Sequence, residues 1–254
     1  FIDARVTIHA GGPDVVVRPE RRLGAMLTGE GAGVVNAAGE RLFKTYLAEI
    51  DGEGGSEGDD PEVMIGDVAT WELPPAEIDA AGIVHTHACD DLSAVAAALS
   101  AYDALLAGAR AGLKVQDVRL LFTRSEEIGF TGAIAACKLG TMPKGSRVIA
   151  LENSRSFADS PIGGGPIVRV GDRLSVFSPT LTAACGKRAE QLAGKAAAPT
   201  ATQKASEFAS GMKWQRKLMA GGACEATVYC TYGYEATCLC LPLGNYHNMA
   251  HLQE

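Results

Sequence analysis

The apolar run Val118-Arg119-Leu120-Leu121-Phe122-Thr123 is followed, after Arg124, by Ser125-Glu126-Glu127-Ile128-Gly129. The run reads as a buried strand, rich in large apolar side chains and bounded by turn residues. Two adjacent carboxylates at the exit of a buried strand are costly unless something positive lies beside them. Neighbouring side chains near a strand end also point in different directions. One carboxylate can then hold a metal ion while the other faces water on that ion. A Lewis acid, an acidified water and a nearby base are what metal-assisted hydrolysis requires. The ordinary alternative is a solvated Glu pair opening a helix, with Gly129 and Gly132 punctuating the turn.

From about residue 80 the chain alternates between strand and helix patterns. Residues 85–89 lead into a helix at 92–113, and the strand 118–123 leads into a helix near 131–139. A strand at 147–151 ends on Glu152. A loop and strand region at 160–177 carries Gly163-Gly164-Gly165, and a polar helix follows at 180–195. Strands near 226–229 and 236–241 precede Gly244-Asn245-Tyr246-His247. This alternation predicts an α/β fold with a mixed, mostly parallel sheet sandwiched by helices. Residues 1–75 differ. They read as short strands at 6–9, 14–17 and 64–71, a helix near 39–47 and a polar, Gly-rich stretch at 51–61, together a small β domain.

The net charge of −7 and a pI near 5.3 come with no basic stripe, which argues against nucleic acid as a partner. The helix at 92–113 is apolar but carries Asp103 and Arg110, so it reads as a buried core helix and no membrane partner is expected. No signal peptide is read, and a first residue of Phe points to a processed protein or a fragment. The seven cysteines form no CxxC pair. Cys238 and Cys240 have the spacing of one strand face. Free thiols in a reducing cytoplasm are expected, with no thiolate zinc site.

Four features fall at predicted strand ends: Asp90-Asp91, Glu126-Glu127, Glu152 and His247. Ligands of open α/β sheets bind outside the carboxyl ends of the strands, and carboxylates with imidazole suit zinc, cobalt or manganese. Each residue also has an ordinary reading. Asp90 or Asp91 can cap a helix, Glu152 can be a loop carboxylate, and His247 can belong to a tight Gly/Asn turn. Their coincidence is harder to explain that way, because clustered carboxylates without a cation repel one another. His85 and His87 lie two apart before Asp90 and can enter or line such a site; lining is the favoured reading. Arg169, Arg216 and Gln215 are candidates for binding substrate termini, against a default of surface solvation.

These segments carry a resemblance. The stretches are Gly66-Asp67-Val68, Cys89-Asp90-Asp91-Leu92-Ser93-Ala94-Val95-Ala96, Phe122 through Ala133, Ile149-Ala150-Leu151-Glu152, Gly221-Gly222-Ala223-Cys224-Glu225-Ala226 and Leu241 through His247. In order and spacing, across roughly residues 60–249, they resemble the co-catalytic metallo-aminopeptidases of the glutamyl/tetrahedral aminopeptidase family. Those belong to a wider group with bacterial leucyl aminopeptidase and the zinc carboxypeptidases.

The resemblance implies a metal-dependent exopeptidase with two divalent ions per subunit (Zn, Co or Mn) and a peptide substrate. Asp90 resembles the carboxylate that bridges the ions, and the Asp90–Asp91 peptide is usually cis in the family. Glu126 resembles the general base, and Asp91 joins it among the catalytic candidates. Glu127 and His247 resemble ligands of one ion, and Glu152 a ligand of the other. Residues 1–75 correspond to most of an inserted β domain, and 76–254 to a catalytic α/β domain. The family's second histidine, in an upstream His-x-Asp segment, has no counterpart here. The expectation is a chain that lacks the start and end of its catalytic domain. A homo-oligomer formed through the inserted domain is also implied. Two further readings stand beside this one: a deacylase of N-acyl amino acids, and a non-catalytic homologue.

Overall fold

The computed structural model describes residues 5–10, 21–35, 37–43, 45–51, 63, 67–115, 117–193 and 212–248. The chain divides into two compact units, Phe1–Ala76 and Glu77–Glu254.

In the first unit, β1 (Arg5–Ala10), β2 (Arg21–Glu30), β5 (Tyr46–Ile50) and β6 (Val68–Trp71) form an antiparallel sheet of order β5-β2-β1-β6. A two-residue strand β3 (Val34–Val35) pairs with β4 (Arg41–Phe43). The side-chain period of two puts Val6 and Ile8 of β1 on one face with Leu23, Ala25 and Leu27 of β2. The register Val6↔Ala25 and Ile8↔Leu23 brings them together as the core of this unit. The helix expected near 39–47 is instead β4 and β5. Tyr46 and Ile50, four apart on one strand face, pack on that same core, so tertiary contact sets the period. The expected strand at 14–17 lies outside the described residues.

The second unit is a mixed α/β layer. Its sheet runs β11 (Gln215–Met219), β10 (Ile167–Asp172), β12 (Glu235–Leu243), β9 (Arg147–Arg155). The pairs β10–β11 and β12–β9 are parallel, and β10–β12 is antiparallel. A small hairpin joins β7 (Glu77–Ile78) to β8 (Val84–His85). Alternation sorts the sheet residues onto two faces. Ile167, Cys238 and Cys240 meet Phe177 and the start of α4 (Glu225–Thr231), while Ala236 and Val148 meet α4 and α2 (Thr131–Lys138). On the opposite face Val168 and Leu239 meet Trp214 and α3 (Pro179–Ala193). The long helix α1 (Cys89–Arg110) reaches β9 on that face through a Ser93–Asn153 bond.

Four expectations change here. Residues 118–123 form no strand ladder: β9 pairs with β12, and among the described residues nothing pairs its other edge. Residues 226–229 are helical. Four consecutive buried residues suit the inner turns of α4, and Asp172 from β10 binds the Cys224 N–H and the Thr227 hydroxyl at its start. β9 runs on to Arg155, so Glu152 lies within it. α1 buries only Ala94 among its residues, and Leu92, Leu99 and Leu106 are exposed. By length and composition α1 is apolar enough to cross a membrane, and it is the one such helix among the described residues. One side of it packs on the sheet, and its other side has no partner among the described residues.

Candidate metal centre and active site

The site lies at the carboxyl ends of β9 and β12. Asp90 comes from the first turn of α1, Glu127 from the loop before α2, and His247 from the short 3-10 turn (Tyr246–Asn248) after β12. Each of the three offers one ligand atom, and these atoms lie within 4.8 Å of one another. His247 Nε2 is 3.8 Å from Glu127 Oε2, and Tyr246 stacks on the His247 ring at 3.9 Å between centroids. The peptide joining Asp90 to Asp91 is cis. A pocket of about 270 Å³ opens over the group, lined by Thr86, His87 and Asn245 among others.

Backbone conformation aims these side chains. Ser125 and Phe130 flank the Glu126–Glu127 turn at φ 61° and 59°, and Asn245 and His247 hold φ 47° and 53°. Left-handed non-glycine residues cost energy and gather at functional sites. The turn is closed by Phe130 N–H to Glu126 O and by Gly132 N–H to Arg124 O, both 2.9 Å. A Cβ at Gly132 would lie 2.4 Å from Arg124 O, so only glycine lets the chain pass this closely.

The carboxylates perturb one another. Burial, then Glu127, Glu225 and Asp90, push Glu126 up to about 7. Burial, then Asp90, Glu126, Glu225 and Glu127, push Asp91 up to about 7. Asp91 keeps an exposed surface, so water screens it and the perturbation of half-buried Glu126 carries more weight. Asp90 is raised by burial and by Glu127, against the opposing pull of His247 and Asn153. A cation would relieve the mutual repulsion of these clustered carboxylates, and the Asp90–Glu127–His247 donor set suits a divalent ion.

Glu152 is not in this group. It sits with Cys238 and Cys240, their ligand atoms also within 4.8 Å of one another, and is ion-paired to Arg169. The sequence reading missed this acid–thiol cluster; the Cys-x-Cys strand spacing was its one signal. Arg169 is buried and so is not free to bind a substrate. Gln215 is buried too and donates to Pro161 O and Gly165 O, whereas Arg216 is exposed. His85 turns to Asp79 at 3.0 Å; His87 lines the pocket without joining the ligand group. Two contributors went unread: Glu225, which raises Glu126 and Asp91, and Asn153, which bonds Cys89 O and Ser93 Oγ on either side of Asp90.

These features define an α/β protein with a carboxylate–imidazole group at its strand ends that could hold a metal ion. The chain belongs to the M42 glutamyl aminopeptidase family, whose model matches residues 43–254. The family is metal-dependent. No curated protein sequence matches the chain. Among solved structures, the fold is similar to an aminopeptidase from the archaeon Desulfurococcus kamchatkensis, at 16% identity and a TM-score of 0.57, covering 95% of this chain and 61% of that one. It is similar to a TET aminopeptidase from a marine sediment archaeon of the Thaumarchaeota, at 15% identity and a TM-score of 0.57, covering 95% and 63%. A TET peptidase of Pyrococcus horikoshii, which can assemble into a tetrahedron or a large octahedral shell, matches at 18% identity and a TM-score of 0.52, covering 95% and 64%. The chain thus spans less than two thirds of the length of these structures.

Proposed function

We propose that the protein is a metal-dependent aminopeptidase. The observation that carries this is the Asp90–Glu127–His247 group with Glu126 beside it, in a chain of this family. A divalent cation held by the three side chains supplies Lewis acidity toward a peptide carbonyl and lowers the pKa of water. Glu126, with a proton affinity near neutrality, accepts the proton from the attacking water and delivers it to the leaving amine. Burial, then repulsion from Glu127, Glu225 and Asp90, keeps Glu126 in that range. The acidic rim favours a substrate with a free, protonated N-terminus.

Zinc, cobalt and manganese all fit the donor set. A second ion, expected between Asp90 and Glu152, draws no support from the pairing of Glu152 with Arg169. We infer a homo-oligomer by analogy with the TET assembly, and a reducing, cytoplasmic setting from seven free cysteines. Family membership favours neither the deacylase nor the non-catalytic reading.

The test is hydrolysis of peptides with free and with acylated N-termini by full-length protein loaded with each metal in turn. Cleavage of free N-termini alone supports the assignment. Preference for acylated substrates, or no cleavage by a protein with metal bound, rejects it. Light scattering on the same sample tests the oligomer.

A further inference from the structure

β9 sends consecutive side chains to opposite faces. Glu152 goes to the face with Arg169 and Cys240, and Asn153 to the face with α1. Asn153 is 5% exposed. Its Nδ2 donates to Cys89 O at 2.5 Å, and its Oδ1 accepts from Ser93 Oγ at 2.7 Å. A main-chain carbonyl can only accept, so the NH2 side must face Cys89 and the oxygen must face the Ser93 hydroxyl. One buried amide therefore ties to β9 both the main chain just before Asp90 and, through Ser93, the next turn of α1.

Helix α1 does not itself fix this corner. Its N-cap Ala88 makes no side-chain cap bond, and Asp90 and Asp91 have non-helical dihedrals (φ −88°, ψ 106° and φ −119°, ψ 22°). The corner that carries Asp90 is held from outside the helix, by the strand beneath it. We propose that Asn153 is the positioning residue of the metal centre, clamping Cys89 and Ser93 on either side of Asp90 so that Asp90 faces Glu127 and His247. This rests on reading Asp90, Glu127 and His247 as a metal centre. A carboxylate whose main chain is already pinned by a buried amide loses less freedom when it takes a cation, and partners that orient ligands in this way typically contribute about 10–100-fold to metal affinity. The residue before it in β9 has been drawn to Arg169, so one strand serves the core with one side chain and the site with the next.

The test is a titration of chelator-treated full-length protein with Co2+, followed by visible absorption, on wild type, Asn153→Ala, Ser93→Ala and His247→Ala. The expected result is cobalt binding that His247→Ala abolishes and Asn153→Ala weakens about 10–100-fold with an altered visible spectrum. Ser93→Ala, which frees only the acceptor end of the amide, should weaken it less. A purely structural Asn153 would lower the melting temperature of the metal-free protein and leave affinity and spectrum unchanged. Should Asn153→Ala fail to fold, the half-buried Ser93→Ala decides alone. Wild-type affinity and spectrum in the folded variants overturn the role of Asn153 and leave the metal centre standing. Wild type that takes up no cobalt, or binding that survives His247→Ala, overturns the metal-centre reading and the clamp with it.

Discussion

Arg169 on β10 and Glu152 on β9 are ion-paired across the strand between them, and Arg169 Nη1 donates to Glu152 Oε1. The guanidinium is 1% exposed and the carboxylate side chain 17%. Around the pair lie thiols: Cys240 Sγ is 3.7 Å from Glu152 Oε1, and Cys238 and Cys240 are 3.4 Å apart. Burial pushes the Cys238 thiol well above its ordinary range, so Cys238 stays neutral and Glu152 is the counter-ion of Arg169.

Removing one partner of a buried pair leaves a bare charge, at a cost of about 3–5 kcal/mol. Arg169→Met should therefore lower stability in urea denaturation by about that much. The double variant Arg169→Met/Glu152→Leu should recover most of the loss, since an apolar replacement of a buried pair is often neutral. A double variant no more stable than the single would show that the pair is not the source of the effect.

Glu126 is set apart from the ligands by role. Glu126→Gln keeps the shape of the side chain and removes the base, so turnover should fall about 10²–10⁴-fold. Metal content by mass spectrometry should stay at the wild-type level. Glu127→Ala and His247→Ala should instead lose metal. Retained turnover in Glu126→Gln would assign the base elsewhere.

The layer order was legible because helix and strand periods alternate plainly after residue 80, and the Asp–Asp, Glu–Glu and His247 segments sit at the ends of those elements. Glu127 and His247, distant in sequence, were legible as partners through the family resemblance, since only His247 follows a strand, β12. The errors have physical causes. Residues 118–123 have strand composition, but a strand exists only where another pairs with it. Residues 226–229 have an apolar run that a helix buries equally well, and the deciding contact comes from Asp172, more than fifty positions away. Glu152 was read as a strand end because the apolar run stops at Leu151, yet β9 continues through the polar Asn153 and Ser154, both buried and paired. Asn153 could not be seen as functional, because its partners become neighbours only when α1 lies on β9.

Among the described residues, Asp172 accepts four hydrogen bonds outside the site. Its Oδ1 accepts from the N–H groups of Leu174 and Ser175 at 2.8 and 2.9 Å. Its Oδ2 accepts from Cys224 N–H at 3.0 Å and Thr227 Oγ at 2.6 Å. Asp172→Ala would leave the N–H of fully buried Cys224 without this acceptor, at about 1–3 kcal/mol for the orphaned donor alone. Thermal denaturation should show a loss of at least that size. Hydrogen exchange should place it in α4. A loss spread evenly over the sheet would argue against Asp172 as the anchor of that helix.

The acidic centre should make the metal-free protein sensitive to pH in an unusual direction. Glu126 holds its proton up to about 7 when folded, against 4.5 as an ordinary side chain, mainly through burial and the neighbouring Glu127. The folded state therefore binds more protons than the unfolded chain between those values. Its advantage is complete below about 4.5 and is lost as pH rises through 7. Asp91 adds in the same sense, reduced by its exposure. The melting temperature of chelated protein should fall across this window, and less steeply in Glu126→Gln, which has no proton to lose. Divalent cation should raise the melting temperature most at the alkaline end, where the carboxylates are charged, because it binds the folded state alone. An equal slope in Glu126→Gln would mean that the dependence arises elsewhere. A cation effect independent of pH would mean that these carboxylates are not its ligands.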